Sequence, residues 1–183
     1  MKPKVKDVQL AFYKKESMAY DIDFKERGFI REHIWNFLLF PEHWNDPSNS
    51  IPVALTWDEL PFENSQLVNV PSNQKGVYCF VLKPRFNQFF ETRYLFLVGK
   101  TTRNFRIRFK EYLRDAEGKG KPRPKVFTML KLWEGYLHFF YAAIPNNVIL
   151  SNCEEQLLNT FVPRVNTDIP KAKIKPELKN IYE

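Results

Sequence analysis

Apolar residues concentrate in three short runs in the second half of the chain. Residues 77–82 (VYCFVL) and 93–98 (RYLFLV) are nearly continuous apolar runs, and residues 136–144 (YLHFFYAAI) form a third run that is rich in aromatic side chains. Runs of this length and content are typical of β-strands, and the first two are apolar enough to be covered on both faces. We therefore predict three strands in this part of the chain.

A helical pattern follows the second predicted strand. Thr101 or Thr102 can cap a helix that continues to about Asp115. The expected core positions of this helix, three or four residues apart, are Phe105, Phe109, Leu113 and Ala116. Arg108 and Tyr112 are four residues apart, so they share an adjoining face of the same helix.

Two more helices complete the pattern. Residues 118–125 (GKGKPRPK) form a basic loop that cannot be helical, and a short helix follows to about Glu134, with Gly135 as its stop. A last helix begins at Ser151, because Ser151 and Glu154 have the spacing of a capping box. The order β-β-α-α-β-α predicts an α+β unit with a short sheet, about 90 residues long.

The first 75 residues have a different character and are interpreted as a mainly helical N-terminal extension. Helical spacing is shared by Ile30, Ile34, Phe37 and Leu38, and Pro41 ends this pattern. Residues 51–62 begin like a short strand, and the polar residues 71–75 look like the join to the next unit. The predicted organisation is an extension (1–75), a folded domain (76–168) and a basic C-terminal tail (169–183).

Positive charge is concentrated in one segment. From Arg93 to Lys125 there are eleven Lys or Arg residues and three acidic residues, a local net charge of +8 that exceeds the +7 of the whole chain. Such a stretch favours a polyanion such as nucleic acid as partner, with an ordinary solvated surface as the alternative.

Other classes of protein are disfavoured by the composition. Cys79 and Cys153 are far apart and have no metal-binding spacing, so we expect free thiols in a reducing cytoplasm. The three histidines, His33, His43 and His138, have no zinc spacing either. No apolar run is long enough to span a membrane, and the charged start of the chain lacks a signal-like apolar stretch. We therefore expect a cytoplasmic protein.

Five short elements follow one another in an order known from one family. They are Gly76-Val77-Tyr78, Leu97-Val98-Gly99, Arg108 with Tyr112 one turn later, Glu154 nine residues before Pro163, and Asn166. Together they resemble the GIY-YIG endonuclease superfamily, in which the first two stand on strands as the "GIY" and "YIG" elements. The resemblance covers residues 76–168 and implies a small three-stranded antiparallel sheet flanked by helices.

This resemblance implies a metal-dependent DNA endonuclease that hydrolyses phosphodiester bonds. In the family the motif glutamate is the single protein ligand of the metal, which here means Glu154 binding Mg²⁺ (or Mn²⁺). One carboxylate can suffice because Mg²⁺ keeps several waters and also binds substrate oxygens. The alternative role of Glu154 is to complete the capping box with Ser151.

The other motif residues have implied roles in the same site. Tyr78 would act as the base or orient the attacking water, which requires nearby positive charge because a free phenol titrates at about 10. Arg108 would hold the scissile phosphate through two hydrogen bonds. Tyr112 would orient water or contact phosphate, and Asn166 would fix a local turn or the floor of the site. The structural alternatives are a buried strand aromatic, a solvated arginine and a space-filling tyrosine.

Leu97 departs from the family pattern. It stands in place of the second family tyrosine and cannot donate a hydrogen bond to a phosphate or a water. Tyr94 is close in sequence, but an offset of three residues predicts that it lies on the opposite strand face. Lys100 is the candidate substitute.

The basic segment supplies the expected contacts to DNA. The side chains that would clamp the DNA backbone are Arg103, Arg106, Lys119, Lys121, Arg123 and Lys125. Gly76 and Gly99 would let backbone approach closely, so that Tyr78 faces substrate beside Lys100 and Thr101.

A catalytic module with one extension resembles the small restriction endonucleases of the family, so we expect a site-specific enzyme of that type. Duplex cleavage by a one-site subunit needs two subunits or two successive nicks, so a homodimer is expected at least on DNA. The extension then wraps DNA, builds the dimer interface or adds core. The alternative function is a catalytically weakened nucleic-acid-binding module of the same fold, weakened at Leu97.

Overall fold

The chain divides into two compact units after Trp35, within the predicted extension. A computed structural model describes residues 30–84, 91–119, 121–166, 175–178 and 181. In the described part of the first unit, residues 30–32 are helical, and the indole N–H of Trp35 donates to the carbonyl of Glu32 at 3.1 Å. Of the predicted basic tail, only residues 175–178 and 181 belong to the described part of the chain.

The second unit is built on an antiparallel sheet of four strands. Their bounds are β1 (Asp58–Pro61), β2 (Gly76–Leu82), β3 (Tyr94–Thr101) and β4 (Leu137–Ala143). The spatial order is β1-β4-β2-β3, which leaves β1 and β3 at the edges. The α+β class and the three predicted strands are confirmed, and the prediction of a three-stranded sheet is wrong because β1 adds a fourth.

The short strand expected at the start of residues 51–62 lies at their end, because the composition of β1 is untypical of strands. It has only four residues, and Asp58, Glu59 and Pro61 are all types that strands avoid. An edge position tolerates them, because among the described residues β1 forms a ladder only with β4. The predicted extension therefore contributes one strand to the sheet of the predicted domain.

Four helices and three short 3₁₀ turns accompany the sheet in the described part of the second unit. The helices are α1 (Pro41–Trp44), α2 (Phe105–Ala116), α3 (Pro124–Leu132) and α4 (Asn147–Phe161), and the 3₁₀ turns are Pro47–Asn49, Asn64–Val68 and Pro176–Leu178. None of the helices in the described ranges is long and apolar enough to cross a membrane.

Two helices begin at residues other than those predicted. α2 is capped by Asn104, whose side chain accepts from the N–H of Ile107 at 2.8 Å, whereas Thr101 is the last residue of β3. α4 is capped by Asn146, whose side chain accepts from the N–H groups of Val148 and Ile149 at 2.9 and 3.1 Å. Ser151 therefore lies inside α4, and the prediction of a capping box is wrong because a better cap stands one turn earlier.

Proline begins two of the helices. Of the helical pattern predicted from Ile30 to Leu38, only residues 30–32 are helical, and Pro41, which was predicted to end it, is the first residue of α1. Pro124 likewise begins α3, so Lys125 is helical rather than part of the predicted basic loop. The first turn of a helix has no use for the N–H that proline lacks, which makes this position favourable.

Each face of the sheet is covered by one long helix. Between α2 and the sheet lies an aromatic core, to which both contribute; its members are Phe62, Tyr78, Phe80, Phe105, Phe109, Tyr112 and Phe139. Beneath α4 lies an aliphatic core that includes Val77, Cys79, Val81, Val98 and Leu157. Tyr112 is buried, whereas Leu113 and Ala116 are half-buried, so the predicted core stripe of α2 is wrong at its C-terminal end. Each buried side chain of this size stabilises the fold by about 1.5–3 kcal/mol.

A β-bulge in β3 changes which face its residues occupy. Phe80 of β2 pairs with Leu97 and Val81 pairs with Leu95, so Phe96 has no partner of its own on β2. One extra residue reverses the alternation of side chains beyond it. Tyr94 therefore lies on the same sheet face as Leu97, and the prediction of opposite faces is wrong.

Candidate active site

Three side chains from two elements meet on the α2 face of the sheet. Arg108 donates from Nε to the hydroxyl of Tyr78 at 2.7 Å and from Nη2 to the hydroxyl of Tyr112 at 3.2 Å. The two hydroxyl oxygens lie 3.1 Å apart, so one phenol donates to the other. The guanidinium carbon also lies 4.6 Å from the centre of the Tyr112 ring, within cation–π range. We call these three residues the tyrosine–arginine cluster.

Tyr78 is the buried end of this cluster. Its side chain is 1% exposed, and its ring stacks on Phe139 with centroids 5.4 Å apart. Burial raises the pKa of the Tyr78 hydroxyl well above its usual value, and Tyr112 raises it further, while Arg108 lowers it by less. Tyr78 is therefore a neutral phenol at neutral pH that orients Arg108. Its side chain is buried, whereas the sequence suggested a tyrosine that faces substrate.

Arg108 is the end of the cluster that reaches the surface. Its side chain is 29% exposed, and Nη1 donates to Oε2 of Glu111 at 2.8 Å. Burial lowers the pKa of the guanidinium, but the two phenols and Glu111 raise it by more, so Arg108 stays a cation. A guanidinium held by two phenols and open on one side is suited to bind an oxyanion.

Two more charged residues adjoin the cluster, and the sequence analysis did not place them there. Nη2 of Arg123 lies 3.5 Å from the Tyr112 hydroxyl. Burial raises the pKa of the Asp115 carboxyl by more than the positive charges of Arg108 and Arg123 lower it. Asp115 is seven residues from Arg108 on α2, a helical spacing that could have indicated it. The position of Arg123 depends on how α3 packs on α2, so no local sequence pattern could have indicated that it adjoins the cluster.

Close packing of strands explains the two motif glycines. Gly99 pairs with Tyr78 across β2 and β3, and a Cβ atom on Gly99 would lie 2.4 Å from the Tyr78 hydroxyl. A Cβ atom on Gly76 would lie 2.0 Å from the carbonyl oxygen of Ala142 in β4. Both distances are far below van der Waals contact, so only glycine fits without displacement of its neighbours.

A second polar cluster begins at the next residue of β3. Lys100 pairs with Val77, whose side chain packs beneath α4, so Lys100 points to the sheet face opposite Tyr78. Its Nζ lies 2.9 Å from Oε2 of Glu154 and 3.2 Å from Oγ of Ser151. We call Lys100, Ser151 and Glu154 the lysine–glutamate cluster.

The two clusters flank one strand at the edge of the sheet. Gly99 touches Tyr78 on one face, and Lys100, the next residue, reaches Glu154 on the other. Among the described residues, β3 is an edge strand of the sheet.

Glu154 is the residue that the family resemblance implies as the metal ligand. The side chain is 22% exposed and lies near the hydroxyl of Ser151 through their shared contact with Lys100. Within the described ranges, no three His, Cys, Asp or Glu side chains come together as a possible metal site. Mg²⁺ takes oxygen ligands and retains waters, which makes one carboxylate sufficient once substrate oxygens are present. Lys100 forms an ion pair with that carboxylate, so a metal ion would have to share the Glu154 oxygens with Lys100.

The side chain of Asn166 forms hydrogen bonds with the outer edge of β3. Its side chain accepts from the N–H of Val98 at 2.8 Å and donates to the carbonyl of Val98 at 2.7 Å. The backbone N–H of Val165 also donates to the carbonyl of Phe96 at 3.0 Å. Asn166 is 1% exposed, so it supports the site by closing the edge of the strand that carries Gly99 and Lys100.

Replacing Asn166 with alanine is expected to lower the free energy of unfolding by about 2–4 kcal/mol, because the buried N–H and C=O of Val98 lose their partners. Urea unfolding followed by circular dichroism measures this change. Asn152→Ala, at an exposed position of α4, is the matched control. Equal unfolding midpoints for the two variants would contradict the prediction.

The predicted DNA-contacting side chains have different surroundings. Arg106 donates from Nε and Nη2 to the carbonyls of Val70 and Val68 at 2.8 and 2.9 Å, so it anchors the chain before β2. Arg103 pairs with Glu111 and Lys119 pairs with Glu117. The remaining predicted contacts are Lys121, which is exposed, Arg123 at the tyrosine–arginine cluster, and Lys125 in the first turn of α3.

The remaining candidate side chains lie in the core. Leu97 is 1% exposed, so a side chain at this position does not reach the surface. Cys79 and Cys153 are free thiols, as predicted, and burial raises the pKa of both, which makes them poor nucleophiles. Comparison of the chain with models of known protein families, with curated proteins and with solved structures finds no match.

Proposed function

We propose that this protein is a metal-dependent DNA endonuclease of the GIY-YIG type, which hydrolyses phosphodiester bonds. The observation that carries the proposal is the tyrosine–arginine cluster. Tyr78 of the first motif lies thirty residues before Arg108, yet its hydroxyl accepts from the Arg108 guanidinium. A solvated arginine or a purely space-filling tyrosine would not need this arrangement.

Arg108 is the residue that would hold the scissile phosphate. Tyr78 and Tyr112 fix Nε and Nη2, which leaves Nη1 directed to the surface, where Glu111 now accepts from it. A donor held in place before substrate arrives loses little side-chain freedom on binding, and it stabilises the negative charge that develops on the phosphate oxygens. Tyr78 would act through Arg108 as a positioning residue.

Glu154 would hold Mg²⁺ or Mn²⁺ at the edge of β3. The bound ion supplies an activated water and neutralises charge on the phosphate. Lys100 would leave the Glu154 carboxylate at that point and bind substrate oxygens, which gives it the role that the missing motif tyrosine has in the family. The DNA backbone would pass the end of β3 that carries Gly99 and Lys100, beyond the part of the edge that Asn166 closes, with Lys121 and Arg123 beside its path.

Several finer features belong to the same proposal. The enzyme would be a cytoplasmic, site-specific restriction-type nuclease. A homodimer on DNA would supply the second site that duplex cleavage requires.

The second candidate is a nucleic-acid-binding module of the same fold. It is favoured by the burial of Tyr78 and Leu97, since neither side chain can contact a substrate in this conformation. Such a protein would bind DNA with steep salt dependence and would not cut it.

Incubation of the protein with supercoiled plasmids from several sources tests the proposal. Cleavage is expected with Mg²⁺ or Mn²⁺ and none with EDTA, and discrete fragments would indicate a site-specific enzyme. Arg108→Lys, which keeps the charge and loses the paired donors, is expected to cut about a hundredfold more slowly. If the wild type retains plasmid without cutting it, the binding module is the function. If the wild type and Arg108→Lys cut equally fast, the activity does not come from the tyrosine–arginine cluster.

A further inference from the structure

Glu111 stands on the open side of Arg108 and is shared by two arginines. Its Oε2 accepts from Nη1 of Arg108 at 2.8 Å, and its Oε1 accepts from Nη2 of Arg103. All three side chains reach the solvent, with Arg103 56%, Glu111 33% and Arg108 29% exposed. Two guanidinium groups therefore meet at one point of the surface, and an anion of the chain itself already lies there.

A phosphodiester has the chemistry to take the place of this carboxylate. Both groups present two oxygens that share a negative charge, and guanidinium groups bind either of them through paired hydrogen bonds. Glu111 lies three residues after Arg108 on α2, so only its side chain has to rotate for the position to become free.

We propose that Arg103 and Arg108 form a binding site for one phosphodiester group of the nucleic-acid backbone, and that Glu111 fills this site in the free protein. The inference rests on the proposed function, which supplies the phosphodiester. It adds Arg103 as the second ligand of the phosphate and Glu111 as the group that the phosphate displaces.

The charge state of Glu111 makes it a real competitor. Burial raises the pKa of the Glu111 carboxyl, but hydrogen bonds from Arg108 and Arg103 lower it by more, so the carboxyl is ionised at neutral pH. A phosphate that binds only at this point has to replace two charge-assisted hydrogen bonds. A polyanion that is also held by Lys121 and Arg123 replaces them more easily, because its other contacts raise its local concentration. The site would therefore select a nucleic-acid backbone over free phosphate.

Binding of a short fluorescent DNA duplex in EDTA tests this inference, since cleavage is then excluded. Glu111→Gln is expected to tighten binding about fivefold, because the internal competitor loses its charge. Glu134→Gln removes the same charge from an exposed side chain 3.7 Å from Lys131 and is expected to change the dissociation constant by less than about twofold. Melting curves check that both variants remain folded.

Arg103→Gln provides a second, independent variant. It is expected to weaken binding of the wild-type chain and to reduce the gain from Glu111→Gln, because one ligand of the phosphate is then missing. Equal affinities of Glu111→Gln and Glu134→Gln, or a wild-type affinity for Arg103→Gln, would overturn the inference and leave the proposed function standing. If the wild type neither retains DNA in EDTA nor cleaves it in Mg²⁺, both the inference and the proposed function are overturned.

Discussion

Replacing Glu154 with glutamine is expected to abolish metal-dependent DNA cleavage, a loss of at least about a thousandfold. Glutamine keeps the size of the side chain, but its neutral amide is a poor ligand for Mg²⁺. The variant also loses the ion pair with Lys100, which is 2.9 Å long and partly exposed. Such a pair contributes only about 0–1 kcal/mol to stability, so the fold is expected to remain intact.

Glu155→Gln is the matched control for this experiment. Glu155 is the next residue of α4, is also half-buried, and undergoes the same chemical change, but it points in another direction around the helix. We expect Glu155→Gln to keep cleavage and Mn²⁺ binding, measured by electron paramagnetic resonance, and Glu154→Gln to lose both. Both variants should retain DNA in EDTA. Cleavage by Glu154→Gln at the wild-type rate would show that Glu154 is not the metal ligand.

The elements that could be predicted from sequence are the long, strongly patterned ones. β2, β3 and β4 are runs of apolar residues, and the order of elements from Gly76 onward is as expected. Arg108 and Tyr112 are one helical turn apart, so their proximity follows from the spacing alone. The contact of both with Tyr78 could be expected only from the family resemblance, because it joins residues thirty or more positions apart.

The face occupied by each side chain of β3 and the pairing of Glu154 depend on tertiary contacts, which no local sequence pattern indicates. The bulge at Phe96 adds one unpaired residue to an uninterrupted apolar run, so the face of Tyr94 could not be read from alternation. The carboxylate of Glu154 pairs with Lys100 from a strand more than fifty residues earlier. The sequence therefore indicated the candidate residues, but not that they form two clusters on opposite faces of β3.

Replacing Gly99 with alanine is expected to cost about 2–3 kcal/mol of stability and most of the activity, although alanine suits a strand better than glycine does. The new Cβ would lie 2.4, 2.5 and 2.9 Å from three atoms of Tyr78. That ring cannot move away freely, because it stacks on Phe139 and its hydroxyl is held by Arg108. Relief of the clash therefore has to displace Tyr78 or open the pairing of β2 and β3.

A double-mutant cycle separates this clash from any general effect on the strand. Tyr78→Leu removes the ring that the Cβ would touch, so Gly99→Ala is expected to cost much less in the Tyr78→Leu background than in the wild type. Unfolding in urea gives the four free energies, and a coupling of about 1–3 kcal/mol is expected. If Gly99→Ala destabilises both backgrounds equally, its effect does not pass through Tyr78. The close approach of Gly99 would then contribute nothing to the placement of Arg108, and the role of the motif glycine would be confined to the strand itself.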